Sequence, residues 1–126
     1  MKDADKRILL VEDDRFLRRA CEASLQRRGF TVRSAPDGEE GLRLARSETP
    51  DLILLDLVMP RMSGFEMLRA LRSDDGTCRI PVLVLSNSSS PTAAGDVTAL
   101  GIEGYWVKSN LSLKELGDRI AGLLGS

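Results

Sequence analysis

The chain has 126 residues, 42% hydrophobic and 29% charged, which suits a single globular domain with a real core. Its net charge of −1 gives no overall field to recruit nucleic acid or an anionic membrane, and no apolar run approaches the length of a membrane span. There is no histidine, which excludes the usual triad base, the usual zinc ligand and any phosphohistidine within the chain.

The N-terminal MKDADKR is too polar for a secretory signal, so the expected location is the cytoplasm. Cys21 and Cys78 match no metal-ligand spacing and are expected as free thiols.

In chain order, Ile8–Val11 reads as a first strand. Asp14 to Arg28 then carries Phe16, Leu17, Ala20, Cys21 and Leu25 at helical spacing, with Asp14 as cap, arginines between and Gly29 as the stop. Phe30–Arg33 is a weaker second strand. Asp37-Gly-Glu-Glu40 has the form of a capping box opening a helix to about Ser47, ended by Thr49-Pro50. Leu52–Leu55 is a third strand, and Phe65–Arg72 places Phe65, Leu68 and Leu71 on one helical face. Pro81–Leu85 is a fourth strand. Ser90-Pro91 starts a fourth helix to about Leu100, Tyr105–Val107 is a fifth strand, and Ser112-Leu-Lys-Glu115 caps a last helix to Leu124.

Five β-α units in alternation predict an α/β fold, a parallel sheet with five helices on its two faces. Apolar runs of four without alternation fit strands buried on both sides. Short connections predict a doubly wound, flavodoxin-like sheet of five strands in the order 2-1-3-4-5.

All strand C-termini of a parallel sheet emerge on one edge, where ligand sites form. There the first strand delivers Glu12 and Asp13, the third Asp56, the fourth Ser86 and Asn87, and the fifth Lys108. Singly, each has a bland explanation as a helix cap, loop polarity or solvated charge; accidents at four strand ends together are improbable. Three acids against one lysine call for a further cation, and an all-oxygen set suits Mg²⁺. A metal, an ammonium and a hydroxyl facing one aspartate make a phosphoryl-transfer arrangement.

The segments ILLVEDD, LLDLVMPRMSG, VLVLSN and GYWVKS carry a resemblance that covers essentially the whole chain. The sequence resembles the receiver domain of two-component response regulators, and single-domain, chemotaxis-regulator-like receivers in particular. The resemblance implies that Asp56 is the phospho-acceptor and Asp13 a direct Mg²⁺ ligand. It makes Glu12 the other acid-pocket member, often acting through water, and the Val58 backbone carbonyl a further ligand. Ser86 corresponds to the switch hydroxyl, Lys108 to the phosphate-binding lysine, and Tyr105 to the aromatic whose rotamer follows activation; taken alone, a tyrosine there is more often packing than a switch.

Three positions depart from that pattern. Ser109 replaces the proline that usually follows the lysine in a cis peptide, so a trans or strained Lys108–Ser109 bond is expected. Asn87 stands where a small apolar residue is usual, and Trp106 where an aliphatic one is, either as a partner anchor or as core.

The expected function is therefore a phosphorylation-dependent switch, not an enzyme in its own right. A histidine kinase or phosphotransfer protein acting in trans donates to Asp56, and the face of the fourth helix, fifth strand and last helix changes its affinity for a protein target. Residues 1–126 read as one receiver domain with no attached output domain, so output is expected in trans or through a phosphorylation-dependent homodimer. A phosphatase of the haloacid dehalogenase type is an alternative, but it places a second aspartate two residues after the nucleophile, where this chain has Val58. A pseudo-receiver that binds partners without phosphorylation is the other alternative. Direct contact with nucleic acid or membrane is not expected.

Overall fold

The computed structural model describes residues 6–59, 62–86, 99–108 and 112–124. The elements are β1 (Arg7–Val11), α1 (Arg15–Arg27), β2 (Thr31–Ala35), α2 (Gly38–Glu48), β3 (Leu52–Asp56), α3 (Gly64–Ser73), β4 (Val82–Ser86), β5 (Gly104–Val107) and α4 (Leu113–Leu123). The five strands are parallel in the order β2-β1-β3-β4-β5, as the alternation of apolar runs and amphipathic stretches predicts. Four helices lie among the described residues, against five expected. The helix expected over 90–100 falls almost wholly outside them, as do Pro60, Asn87 and Ser109.

Burial explains the central strands. Every residue of β3 and β4 is buried, so Leu52–Leu55 and Val82–Leu85 contribute side chains to both faces of the sheet. Leu9, Val11, Ile53, Leu55, Val82 and Val84 pack with α2 and α3, while Ile8, Leu10, Leu52, Leu54, Leu83 and Leu85 pack with α1 and α4. Each such side chain contributes about 1.5–3 kcal/mol of transfer free energy, enough to fix strand register against any one-residue slip.

The helix ends follow from named side chains. Asp14 caps α1 by accepting from the Phe16 and Leu17 N–H groups, and Gly29 closes it at φ 99°. Asp37 accepts from the Glu40 N–H at the start of α2, and Thr49, left-handed at φ 46°, ends it just before Pro50. Ser63 and Glu66 exchange both hydrogen bonds of a capping box at α3, a signal that starting this helix at Phe65 passes over.

Two further expectations need correction. β2 runs to Ala35 rather than stopping at Arg33, because Ser34 and Ala35 pair with Leu10 and Val11. Phe16 is 90% exposed and does not join the α1 core, which is made by Cys21 and Leu25 with Leu17 partly covered. Phe16 sits some 140° round the helix from Cys21 at 100° per residue. Phe65 is half-buried and packs on the same core cluster as Leu68 and Leu71, as expected, and Met67 joins the buried stripe.

Candidate functional site

The register places the chemistry. Val11 pairs with Leu55, Asp56 with Leu85, and Ser86 with Val107, so the C-terminal ends of β1, β3, β4 and β5 finish side by side. The next residue after β1 is Glu12 and the next after β5 is Lys108, while Asp56 and Ser86 are the last residues of β3 and β4. Strand alternation and sheet edge together therefore bring Glu12, Asp56 and Lys108 into contact from three strands.

Lys108 is the hub. Its Nζ donates to Glu12 Oε2 at 3.0 Å and lies 2.9 Å from Glu12 Oε1 and 3.1 Å from Asp56 Oδ2. Glu12 Oε2 also accepts from the Asp14 backbone N–H at 2.9 Å. Asp56 Oδ1 accepts from the Val58 N–H at 3.2 Å, which ties the start of the β3–α3 connection to the carboxylate. Glu12 and Asp56 are 0% and 1% exposed, and Asp13, next to Glu12, is exposed at the rim.

The loop after β3 closes tightly over its own strand. Gly64 N–H donates to the Leu57 carbonyl at 2.9 Å, and a Cβ on Gly64 would stand 2.0 Å from the Asp56 carbonyl oxygen. No side chain fits there, so the glycine in the sequence Met-Ser-Gly is required by close backbone approach.

Electrostatics sharpen the picture. Burial, with the Glu12 charge beside it, pushes the Asp56 carboxyl up to about 7, although Lys108 and its hydrogen bond pull the other way. Burial disfavours the Lys108 ammonium, but the Glu12 hydrogen bond and the Asp56 and Glu12 charges outweigh it and hold its pKa above the ordinary value. Burial and the Glu12 charge also raise the Cys21 thiol, to about 11, against an opposing pull from Lys108. Cys21 thus behaves as an inert core thiol beneath the site.

Oxygen atoms of Glu12, Asp13 and Asp56 lie within 4.8 Å of one another. Glu12 Oε1 and Asp56 Oδ2 are buried and make no well-aligned hydrogen bond, although Lys108 Nζ is close to both. Three carboxylates with, among the described residues, only the Lys108 ammonium against them make an oxygen donor set that fits a hard divalent cation such as Mg²⁺.

Of the other residues singled out from sequence, Ser86 is buried at the end of β4, level with Val107 and hence beside the strand that ends at Lys108. Tyr105 is half-buried on the α2–α3 side of the sheet. Trp106 is half-buried on the opposite side, packed on the core shared with α1 and α4, so it belongs more to packing than to a free anchor. Val58 is 66% exposed at the mouth of the site. Arg18, one of the arginines between the apolar positions of α1, turns back and donates to the Glu12 carbonyl at 2.8 Å and the Asp13 carbonyl at 3.5 Å. A contact across six residues to a backbone atom leaves no trace in a hydrophobic pattern.

A doubly wound sheet with an acid cluster and a lysine at its switch-point edge defines a class, and comparison with known proteins narrows it. Residues 8–121 match the family described as response regulator receiver domain. The chain is similar to the response regulator MprA of Mycolicibacterium vanbaalenii, 41% identical over 118 residues covering 94% of this chain and 50% of the relative. It is also 44% identical over 101 residues to the transcriptional regulatory protein AfsQ1 of Streptomyces coelicolor, covering 80% and 44%. Among solved structures, the chemotaxis protein CheY4 of Vibrio cholerae superposes with a TM-score of 0.86 at 31% identity, over 93% of this chain and 97% of that one. The chain belongs to the receiver-domain family of response regulators. It spans about half the length of the curated relatives it matches.

Proposed function

We propose that this chain is a phosphorylation switch that accepts a phosphoryl group on Asp56 from a histidine kinase or phosphotransfer protein. The observation that carries the reading is the Lys108 ammonium seated between Glu12 and Asp56, 2.9 and 3.1 Å from their oxygens. An ammonium so placed neutralises an equatorial phosphoryl oxygen as the group arrives. Glu12, Asp13, Asp56 and the Val58 carbonyl are the ligands the reading assigns to Mg²⁺. Bound there, the ion supplies charge neutralisation and orientation of the phosphoryl oxygens.

In the transfer, a carboxylate oxygen of Asp56 forms the new bond to phosphorus. The bond from phosphorus to the donor nitrogen, or to the oxygen of an acyl phosphate, breaks with its electron pair leaving on the donor. With a pKa raised to about 7, Asp56 keeps a substantial protonated fraction at neutral pH, and added positive charge shifts it toward the nucleophilic carboxylate. The Ser86 hydroxyl then serves as hydrogen-bond donor to the phosphoryl group. Tyr105, on the adjacent strand, transmits the change to the surface around β5 and α4, where a downstream protein binds. The reading places this exchange in the cytoplasm, with no external substrate turned over.

Incubation with Mg²⁺ and acetyl phosphate is expected to give one acid-stable, base-labile phosphoryl adduct that Asp56→Asn abolishes. Absence of an adduct with every donor would favour a pseudo-receiver, and steady phosphate release without an adduct would favour a phosphatase.

A further inference from the structure

We infer that Arg18 is a positioning residue for the cation site, clamping the turn that carries Glu12 and Asp13; the inference rests on the Mg²⁺ site just proposed. Arg18 lies near the start of α1, where a cation opposes the helix dipole and the first turn itself holds no acidic residue beyond the capping Asp14. The two hydrogen bonds that its guanidinium makes among the described residues both go to main-chain oxygens, at 2.8 Å to Glu12 and 3.5 Å to Asp13. These carbonyls belong to the reversal between β1 and α1, the segment that delivers two of the three clustered carboxylates.

The rest of that reversal is held on the Glu12 side. The Glu12 N–H donates to the Ala35 carbonyl at 3.0 Å, and its carboxylate is fixed by the Asp14 N–H and by Lys108. Asp13 is the exposed member of the cluster, so mutual repulsion among the carboxylates is most easily relieved by turning it into solvent. With the carbonyls of Glu12 and Asp13 held from behind by a single guanidinium nitrogen that reaches both, that rotation is resisted and Asp13 stays in the carboxylate cluster.

Charge and geometry predict opposite signs, which makes the inference decidable. A guanidinium near a cation site repels the cation, so deleting it for charge reasons alone would tighten Mg²⁺ binding. If Arg18 acts by positioning, deleting it loosens binding, by about tenfold or more as for other groups that orient metal ligands.

The test is Mg²⁺ titration of the full chain, followed by calorimetry and by Trp106 fluorescence, with the metal-free melting temperature measured alongside. Arg18→Ala is expected to raise the Mg²⁺ dissociation constant about tenfold or more while the metal-free melting temperature falls by only a few degrees. Arg18→Lys, which keeps a donor within reach of the same carbonyls, is expected to recover most of the affinity. Arg19→Ala deletes the same charge one residue along and is expected to leave affinity within about twofold. Tighter or unchanged binding in Arg18→Ala, or equal losses in the Arg18 and Arg19 variants, overturns the inference. Should Arg18→Ala not fold, Arg18→Lys against Arg19→Lys decides by the same measurement, equal affinities overturning it. A wild type that binds no Mg²⁺ overturns the proposed function itself, a result distinct from wild-type binding that the variants leave unchanged.

Discussion

Lys108 Nζ stands 3.1 Å from Asp56 Oδ2 across the ends of two strands that are not neighbours in the sheet, since β4 lies between β3 and β5. The contact depends on the length of the lysine stem and on Asp56 being the last residue of its strand. With 11% of the Lys108 side chain and 2% of the Asp56 side chain exposed, water screens the pair poorly.

Lys108→Met should therefore remove an ammonium that faces two buried carboxylates. The expected loss is about 2–4 kcal/mol of stability at neutral pH, limited by proton uptake on Asp56. Urea denaturation at pH 7.5 measures it, and the same variant should form little or no phosphoryl adduct.

A pH dependence follows from Asp56, whose folded pKa of about 7 lies above the ordinary aspartate value of 3.8. The folded state holds the proton more tightly, so the stability this group contributes is fully present below the unfolded pKa. It is lost as pH rises from about 4 through 7. Metal-free wild type should lose stability over that window. Asp56→Asn should flatten the slope and be the more stable protein at pH 8, by about 1–3 kcal/mol. Thermal melts in chelator across pH 5–8 provide the check, and Mg²⁺ should raise the wild-type melting temperature most at the upper end.

The two thiols should separate cleanly. Cys21 is buried with a pKa pushed up to about 11, whereas Cys78 is only half-buried. At pH 8 a thiol reagent should modify Cys78 in the native protein and reach Cys21 only on unfolding. Equal native rates would show that the core beneath Glu12 opens readily.

Gly64→Ala should be more damaging than an exposed glycine change such as Gly122→Ala, whose added Cβ meets nothing within 4 Å. The Gly64 Cβ would collide with the Asp56 carbonyl, so the β3–α3 connection must move. A loss of about 2 kcal/mol or more and weaker Mg²⁺ binding are expected, against little change or a slight gain for Gly122→Ala. Paired denaturation curves test the contrast.

The sheet order and the converging strand ends were legible because fully buried parallel strands write themselves as unbroken apolar runs that stop where the chain leaves the core. Leu52–Leu55 before Asp56 is the clearest case. Edge strand β2 was less legible, since its pairing partners Leu10 and Val11, rather than its own polarity, carry it through Ser34 and Ala35. Phe16 misled because helical spacing marks a stripe without saying where the stripe stops. The Arg18 contacts were invisible, being side chain to backbone across a turn.

The account stands most directly on where the phosphoryl group goes. After reaction with acetyl phosphate and Mg²⁺, borohydride reduces an acyl phosphate on aspartate to homoserine, and peptide mass spectrometry locates it. Homoserine at residue 56, and at neither Glu12 nor Asp13 as the matching reduced residue, is the predicted result. Modification at either of those two acids with residue 56 intact, or no reducible adduct at all, would contradict this assignment.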